Sequence, residues 1–195
     1  HRDLHSFPTR RSSDLIISAG GMTDIDKAIE EAIKENDTIG GIIECRVRNP
    51  QKAIGEPFFN SVESMISHIV FSIPAIKGIE FGSGFAAPGM KGSVHNDPFT
   101  GTDGTTMTNN AGGINGGITN GNEIVFRVAV KPTSSTGVEQ QTLDFASGKM
   151  TGLSVRGRHD TCIALRMPVI VEAAASIALA DLSLTDRGIH GSRAS

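Results

Sequence analysis

Cysteine, long apolar runs and excess positive charge are all scarce in this sequence, and each scarcity excludes a class of protein. Cys45 and Cys162 are the two cysteines, and because they lie far apart without CxxC spacing, neither a disulfide framework nor a zinc site is indicated. No apolar run reaches the roughly 18 residues that cross a bilayer, and the formal net charge of −3 disfavours general nucleic-acid binding. We therefore expect a cytoplasmic protein whose partners include neither a membrane nor nucleic acid.

The residues that are present fit an ordinary globular chain. Hydrophobic residues make up 38% of the 195 residues and charged residues 20%, which suits one domain or a large part of one. The 23 glycines predict many turns and several places where backbones approach closely.

The first 15 residues, HRDLHSFPTRRSSDL, raise a separate question, because their basic run and paired serines suit a phosphate-binding arm or a targeting signal. No apolar segment follows the charges, which argues against a secretory signal, and Asp3 and Asp14 do not suit a mitochondrial presequence. One reading frame of a common DNA-sequencing adapter encodes this stretch codon by codon. We therefore interpret residues 1–15 as an artefactual leader that contributes nothing to the fold, and expect the natural protein to continue upstream of about Ile16.

Apolar spacing predicts three long helices. The first is capped by Thr23 and runs to about Asn36. A second could begin at Pro57 and ends before Pro74, and an apolar third occupies residues 169–182. The buried face of the first helix is expected to hold Ile25, Ala28, Ile29, Ala32 and Ile33.

Alternating and β-branched runs predict strands at residues 42–48, 76–82 and 123–133, and residues 141–146 are expected to pair with the last of these. Residues 83–122 hold much of the glycine without sustained periodicity, which is typical of a functional or mobile segment. The order of the elements indicates an α+β fold, a layer of sheet and helices, rather than a doubly wound βαβ array. One face of the 123–133 strand is expected to hold Ile124, Phe126, Val128 and Val130.

Three stretches carry residue types that suit a binding site. Residues 108–121 combine asparagines with glycine pairs whose backbone N–H groups can approach a flat ring or a phosphate, although a structural set of turns explains this stretch alone more simply. Residues 131–135 place an ammonium and three hydroxyls at a strand end, which suits a phosphate but also occurs in ordinary loops. Residues 157–162 hold a guanidinium, an imidazole, a carboxylate and a thiol. An open alternative there is a metal site, needing further ligands, from His159, Asp160 and Cys162.

Taken together, five ordered strings resemble those of a known family: SIPAIKGIEFGSGF, GSVHND, TNNAGGINGGITNG, VAVKPTSS and GRHDTCIALRMPVIVEA. In this order and spacing they resemble the C-terminal half of the chorismate synthase family over roughly residues 16–187, with residues 188–195 as a tail. The visible departure is Thr161, where the family usually has proline. The resemblance implies part of a chorismate-synthase-type β-α-β sandwich whose N-terminal half is missing, in an enzyme that assembles as a homotetramer.

The resemblance also implies an activity, that of a lyase in the shikimate pathway of aromatic amino acid biosynthesis. Members of the family convert 5-enolpyruvylshikimate 3-phosphate to chorismate by trans-1,4 elimination of phosphate. They need reduced FMN although the reaction has no net redox change. Whether the flavin is reduced by the enzyme itself, with NADP as the coenzyme, stays open.

Carried over position by position, the resemblance assigns Asp160 as the catalytic carboxylate. A surface ion pair between Arg158 and Asp160 is the alternative. The family's catalytic histidines and the arginines that hold the substrate phosphate belong to the missing half, so we expect this chain alone to be inactive and at best a weak flavin binder. The FMN is expected to contact Pro74, Ala75, Gly116, Lys131, Pro132, Thr133, Ser134, Ser135 and Arg158.

Two other classes of function stay open at this stage. One is a flavin- or phosphate-binding module without catalysis, and the other is a diverged structural or partner subunit. Flavin binding without turnover favours the first, and loss of flavin binding even in a full-length version favours the second.

Overall fold

A four-stranded antiparallel sheet forms the centre of the structure, a computed structural model that describes residues 12–155, 157 and 160–190. The sheet has the order β1-β2-β6-β3, while β4 pairs with β5 and β7 pairs with β8 in separate two-stranded ladders. These strands are β1 (Ser12–Ala19), β2 (Gly41–Val47), β3 (Ile76–Phe81), β4 (Ile114–Asn115), β5 (Ile118–Thr119), β6 (Ile124–Val130), β7 (Gln140–Asp144) and β8 (Lys149–Leu153).

Helices pack against the central sheet and complete the core. They are α1 (Ile25–Lys34), α2 (Val62–Phe71) and α4 (Pro168–His190), while the short α3 (Gly92–His95) holds no buried residue. α2 and α4 contact each other, α4 contacts β1 and β2, and α2 contacts β3. The α+β class predicted from the order of elements is confirmed. Fully buried side chains come from both layers and include Ile43, Ile66, Phe126 and Val171.

β6 shows how the apolar pattern of a strand sets its register in the sheet. Its predicted apolar face is buried, and Arg127 lies on the opposite face. Each fully buried aliphatic or aromatic side chain contributes about 1.5–3 kcal/mol, so a one-residue slip of register would expose the whole set. The two cysteines are also buried in this core. The buried face of β6 consists of Ile124, Phe126, Val128 and Val130.

The first helix begins one residue later than the sequence pattern predicts. Its cap is Asp24 rather than Thr23, because the Asp24 carboxylate accepts a hydrogen bond of 3.1 Å from the backbone N–H of Lys27. Ile33, which was expected on the buried face, is 60% exposed, so this face is narrower than predicted.

The other two long helices also differ from their predicted bounds. A 3-10 turn follows Pro57, and α2 begins only after Ser61, whose hydroxyl accepts a hydrogen bond of 3.1 Å from the N–H of Ser64. α4 extends beyond the predicted 169–182 at both ends and begins at Pro168 itself. A proline is tolerated there because the first turn of a helix has no intrahelical partner for its N–H groups.

Residues 141–146 do not pair with β6, and that prediction is wrong. β7 pairs instead with β8, from Gln140 opposite Leu153 to Asp144 opposite Lys149. β6 already has β2 on one side and β3 on the other, so both of its hydrogen-bonding edges are occupied.

The first strand begins upstream of the boundary expected at Ile16. Its ladder with β2 starts where Ser12 faces Val47 and continues through Leu15 opposite Glu44. Ladder hydrogen bonds join backbone groups, so an extended segment of almost any composition can lengthen a strand. Residues 1–11 lie outside the described part of the chain, and the origin of the leader stays a prediction.

α4 carries apolar residues on more than one side. By length and composition alone, Pro168–Gly188 is long and apolar enough to cross a bilayer. One stripe of the helix, which includes Val171 and Ala178, packs against α2 and the sheet, as a helix in a layered core does. The opposite stripe is exposed and contains Val169, Ile170, Ile177 and Leu184.

Candidate functional site

Most of the predicted flavin-contacting residues meet at one end of the central sheet. β3 starts immediately after Ala75 and β6 ends immediately before Lys131, and because these strands are antiparallel neighbours, the two positions are adjacent. The carbonyl of Ala75 accepts a hydrogen bond of 2.9 Å from the Lys131 N–H. We call the residues around this contact the strand-end cluster: Pro74, Ala75, the loop Lys131, Pro132, Thr133, Ser134 and Ser135, and Asp160.

Ala75 has a backbone conformation that few alanines adopt. Its φ is +74°, in the left-handed region, where a side chain with a Cβ is strained. The connection between α2 and β3 is tight, since the Ile76 N–H bonds back to the Ile73 carbonyl at 3.4 Å. This turn presents the backbone of Pro74 and Ala75 beside the Lys131 loop.

The loop after β6 offers an ammonium and hydroxyls to solvent. Lys131 is exposed, and its Nζ donates to the Ser134 hydroxyl at 3.1 Å. Thr133 differs from its neighbours because its hydroxyl oxygen is buried and has no hydrogen-bond partner among the described residues. An unsatisfied buried polar group costs about 1–3 kcal/mol, and this hydroxyl is closed to solvent, so a ligand oxygen would relieve the cost only after the Thr133 side chain turns.

Asp160 and the residues after it lie beside this loop, joined to it through Thr38 and Ile39. The Thr38 hydroxyl donates to the Thr133 carbonyl at 2.7 Å, and the Ile39 N–H donates to the Thr161 carbonyl at 2.8 Å. Ile39 also forms a parallel β-bridge with Cys162. The structure therefore brings the Lys131 loop and the Asp160 segment together, although they are far apart in sequence.

Asp160 is partly exposed and forms an ion pair. Its Oδ1 lies 2.8 Å from a terminal nitrogen of Arg166, whose side chain is 73% exposed. A pair this open to solvent contributes little to stability, so it leaves the carboxylate available for other partners. Arg158, the expected cationic neighbour and flavin contact, lies outside the described residues.

The state of Cys162 affects the alternative interpretation of this segment, a metal site formed by His159, Asp160 and Cys162. Burial raises the pKa of the Cys162 thiol, which disfavours the thiolate that a metal or a nucleophilic role needs. Within residues 12–155, 157 and 160–190, no group of three or more His, Cys, Asp or Glu side chains could hold a metal ion. His159 lies outside that part of the chain, so the metal hypothesis is not tested.

A cavity of about 240 Å³ adjoins the strand-end cluster. Asp37 stands at its wall, and hydrogen bonds from the Thr38 N–H and the Thr136 hydroxyl lower the pKa of this carboxyl. The cavity is lined by Ile33, Asn36, Asp37, Thr38, Ser135, Gly137, Gly157 and Thr161.

Gly116 is not brought to the strand-end cluster within this chain. It occupies the tight turn between β4 and β5 with φ of +59°, and its exposed backbone has open space where a Cβ would stand. The next residue, Gly117, accepts a hydrogen bond of 2.9 Å from the N–H of Val62 at the start of α2. Pro74 follows the other end of α2, and a helix of ten residues spans about 15 Å. The sequence pattern gives no sign of this separation.

The long glycine-rich segment is held by a carboxylate that sequence reasoning missed. Asp97 accepts hydrogen bonds from the N–H groups of Asn110 and Ala111 at 2.8 and 2.9 Å and from the Thr108 hydroxyl at 2.7 Å. Burial alone would raise the pKa of Asp97, but these donors outweigh it and lower the pKa. The segment is therefore ordered by its own polar contacts, which favours the structural role for most of its glycines and asparagines.

A second polar group that sequence reasoning missed lies on the face of the sheet away from the helices. Glu44 is almost buried there, with Oε1 2.6 Å from Arg46 Nε and Oε2 2.8 Å from Arg127 Nε. Strand alternation could have placed these side chains on one face, because Glu44 faces Arg127 in the ladder between β2 and β6. We call this set the outer-face network: Glu44, Arg46, Glu80, Glu123 and Arg127.

The outer-face network borders a cavity of about 580 Å³ but does not suit a phosphate. Arg127 also contacts Glu80 at 3.3 Å, and Arg46 contacts Glu123 at 3.2 Å, so each guanidinium already faces carboxylates. An anion here would compete with those carboxylates. The strand-end cluster, where Lys131 is exposed, is therefore the better candidate for binding a phosphorylated ligand.

The chain is similar to known proteins over most of its length. The family model described as chorismate synthase matches residues 9–184. The chorismate synthase of Chitinophaga pinensis is 59% identical over 167 residues, covering 86% of this chain and 50% of that protein. The enzyme of Opitutus terrae is 45% identical over 187 residues, covering 91% of this chain and 50% of the relative, so the chain spans about half the length of these relatives.

The fold is similar to that of a solved structure. A crystal structure of chorismate synthase superimposes with a TM-score of 0.72 over 91% of this chain and 58% of the other. The two sequences are 24% identical in this comparison, which supports the likeness of fold alone.

Proposed function

The chain belongs to the chorismate synthase family, and we propose that its strand-end cluster forms part of an FMN site in an enzyme that makes chorismate. The reaction we propose is the elimination of phosphate from 5-enolpyruvylshikimate 3-phosphate, a step of aromatic biosynthesis in the cytoplasm. The observation that supports it best is the convergence of Pro74, Ala75 and the Lys131 loop, which the family resemblance names as flavin contacts.

The chemistry of the strand-end cluster fits FMN. A flavin phosphate needs cationic and hydroxyl donors, and Lys131 with Ser134 supplies an exposed ammonium next to a hydroxyl. The buried hydroxyl of Thr133 has no partner among the described residues, and we propose that this side chain turns toward the surface of the loop and bonds to a ligand oxygen. The backbone of Ala75 lies against the start of the loop, where its carbonyl accepts a hydrogen bond from the Lys131 N–H.

Bound reduced FMN would supply electron density that assists departure of the substrate phosphate. The chain's own contribution is to bind and orient, with Lys131 and the loop hydroxyls holding the flavin. We propose that Asp160 is the group that holds the proton transferred near the flavin during the elimination. The proton would reside on Oδ2, because Oδ1 already bonds to Arg166 at 2.8 Å.

We place the remaining catalytic groups and the substrate-phosphate site in the part of the relatives that this chain does not match. The exposed apolar stripe of α4 supports this division, because a helix that is apolar on both sides is suited to a layer between two packed faces. The complete enzyme is proposed to be a homotetramer. For this chain alone we expect no turnover.

A flavin- or phosphate-binding module without catalysis is the second candidate. The position of Gly116, near the far end of α2 from Pro74, favours it, since one chain does not bring all proposed flavin contacts together. The enzyme and the non-catalytic module are distinguished by incubating a full-length version anaerobically with reduced FMN and 5-enolpyruvylshikimate 3-phosphate. Flavin binding without phosphate release by a full-length version would favour the module.

The proposed function is tested by titrating FMN with the chain and following flavin fluorescence. Replacing Lys131 by alanine removes the ammonium, and we expect FMN affinity to fall about ten- to 150-fold, since a hydrogen bond to a charged group contributes about 1.5–3 kcal/mol. Lys149→Ala in the β7–β8 hairpin is the matched control and should leave affinity unchanged. Equal affinities of wild type and Lys131→Ala would remove the cluster from the flavin site.

A further inference from the structure

A short segment that carries none of the proposed site residues joins the two parts of the strand-end cluster. We call it the connector, residues 37–40, and it follows the C-terminus of α1. Asn36, just before it, has φ of +55°, and its N–H bonds to the Ile33 carbonyl at 3.1 Å while the Asp37 N–H bonds to the Ala32 carbonyl at 3.0 Å. This is the Schellman arrangement of a helix end, which fixes the direction of the connector.

One side of the connector holds the Lys131 loop. The Thr38 hydroxyl donates to the Thr133 carbonyl at 2.7 Å, the shortest of the bonds between the two segments. One step further on, the buried Thr136 hydroxyl donates to Asp37 Oδ1 at 2.9 Å, and the same carboxylate accepts from the Thr38 N–H at 2.8 Å. Asp37 and Thr38 thus attach the loop at two points, on either side of Ser134 and Ser135.

The other side of the connector holds the segment that begins with Asp160. The Ile39 N–H bonds to the Thr161 carbonyl at 2.8 Å. Gly40 completes the contact with the loop, because a Cβ there would meet the Val130 carbonyl oxygen at 2.3 Å and the Pro132 nitrogen at 3.1 Å. The position requires glycine for space rather than for its backbone angles.

We propose that the connector is a positioning element that holds the Lys131 loop and the Asp160 segment in fixed register, with Thr38 as its principal residue. This inference rests on the proposed function for its consequence on FMN. Among the described residues, Thr38 hydrogen-bonds to neither the hydroxyls of the Lys131 loop nor the Asp160 carboxylate; it acts through the Thr133 carbonyl. Without its hydroxyl, the backbone of Thr133 loses the bond that sets the direction of the neighbouring side chains.

The test compares Thr38→Val, which keeps the shape and removes the hydroxyl, with Thr38→Ser, which keeps the hydroxyl. Thr142→Val on β7 is the matched control, since it makes the same change away from the cluster. Hydrogen exchange is measured by peptide for residues 131–138, residues 160–163 and the centre of β6. We expect Thr38→Val to raise exchange in the first two peptides and leave β6 unchanged, and Thr38→Ser to restore the wild-type pattern.

FMN titration of the same variants adds the second readout. Thr38→Val is expected to weaken FMN binding about two- to tenfold, the value of one lost hydrogen bond, with recovery in Thr38→Ser. If no variant, wild type included, binds FMN, the flavin assignment fails while the exchange result still decides the positioning role. Unchanged exchange in the cluster peptides, or an equal increase throughout the chain, would overturn the inference.

Discussion

Removing the Glu44 carboxylate should destabilise the fold more than removing a carboxylate at the rim of the same outer-face network. The Glu44 side chain is only 10% exposed and bonds to Arg46 at 2.6 Å and Arg127 at 2.8 Å. A hydrogen bond to a charged group contributes about 1.5–3 kcal/mol, but the Arg46 side chain is 45% exposed, so its share is screened to about 0–1 kcal/mol. The expected loss for Glu44→Ala is therefore about 1.5–4 kcal/mol, most of it from Arg127.

Urea unfolding followed by far-ultraviolet circular dichroism measures this difference. Glu123→Ala is the matched control, because that side chain is 28% exposed and its bonds to Arg46 and Arg48 are 3.2 and 3.4 Å long. We expect it to lose less than about 1 kcal/mol, as exposed ion pairs do. Glu44→Gln, which keeps the shape, should fall between the two. Equal losses for Glu44→Ala and Glu123→Ala would refute the reasoning from burial.

Three further predictions follow. The pKa of Asp97 is lowered in the folded chain, so its stabilisation is present above the ordinary value of 3.8 and is lost as pH falls through the folded value. Asp97→Asn should thus destabilise the chain more at pH about 6 than below pH 3.8, and a pH-independent difference would contradict this prediction. Deleting residues 1–11, the part of the 1–15 leader that precedes β1, should change the Tm by less than about 2 °C, whereas a loss of several degrees would refute the artefact interpretation for those residues. In a full-length version, Asp160→Asn should keep FMN affinity and lower kcat by orders of magnitude, and wild-type rates with tight flavin would exclude the catalytic role.

Much of the sheet could be predicted because each strand carries its own pattern. β2, β3 and β6 lie within about one to three residues of their predicted bounds, and the alternation of Phe126 and its neighbours correctly marked the buried face. The pairing of β7 could not be predicted, because it depends on whether the edges of β6 are free. That depends on β2 and β3, which lie far away along the chain.

The site was predictable in its parts but not in its arrangement. The residues of the Lys131 loop were singled out by their hydroxyls and by the family resemblance. The distance of Gly116 from this loop, and the connector between the loop and Asp160, depend on how α1 and α2 end. Thr38 carries no chemical signal in the sequence, since a lone threonine after a helix is common; only its bond to the Thr133 carbonyl distinguishes it.

The central claim, that FMN binds at the strand-end cluster, is tested most directly by mapping amide chemical-shift changes in the isotope-labelled chain as FMN is added. The account predicts that the largest changes fall on the amides of Ala75, Lys131 and Thr133 to Ser135, with smaller changes at Thr38 and Ile39. Changes confined to the Gly116 turn or to the face that carries the outer-face network, with Lys131 and Thr133 unaffected, would contradict it.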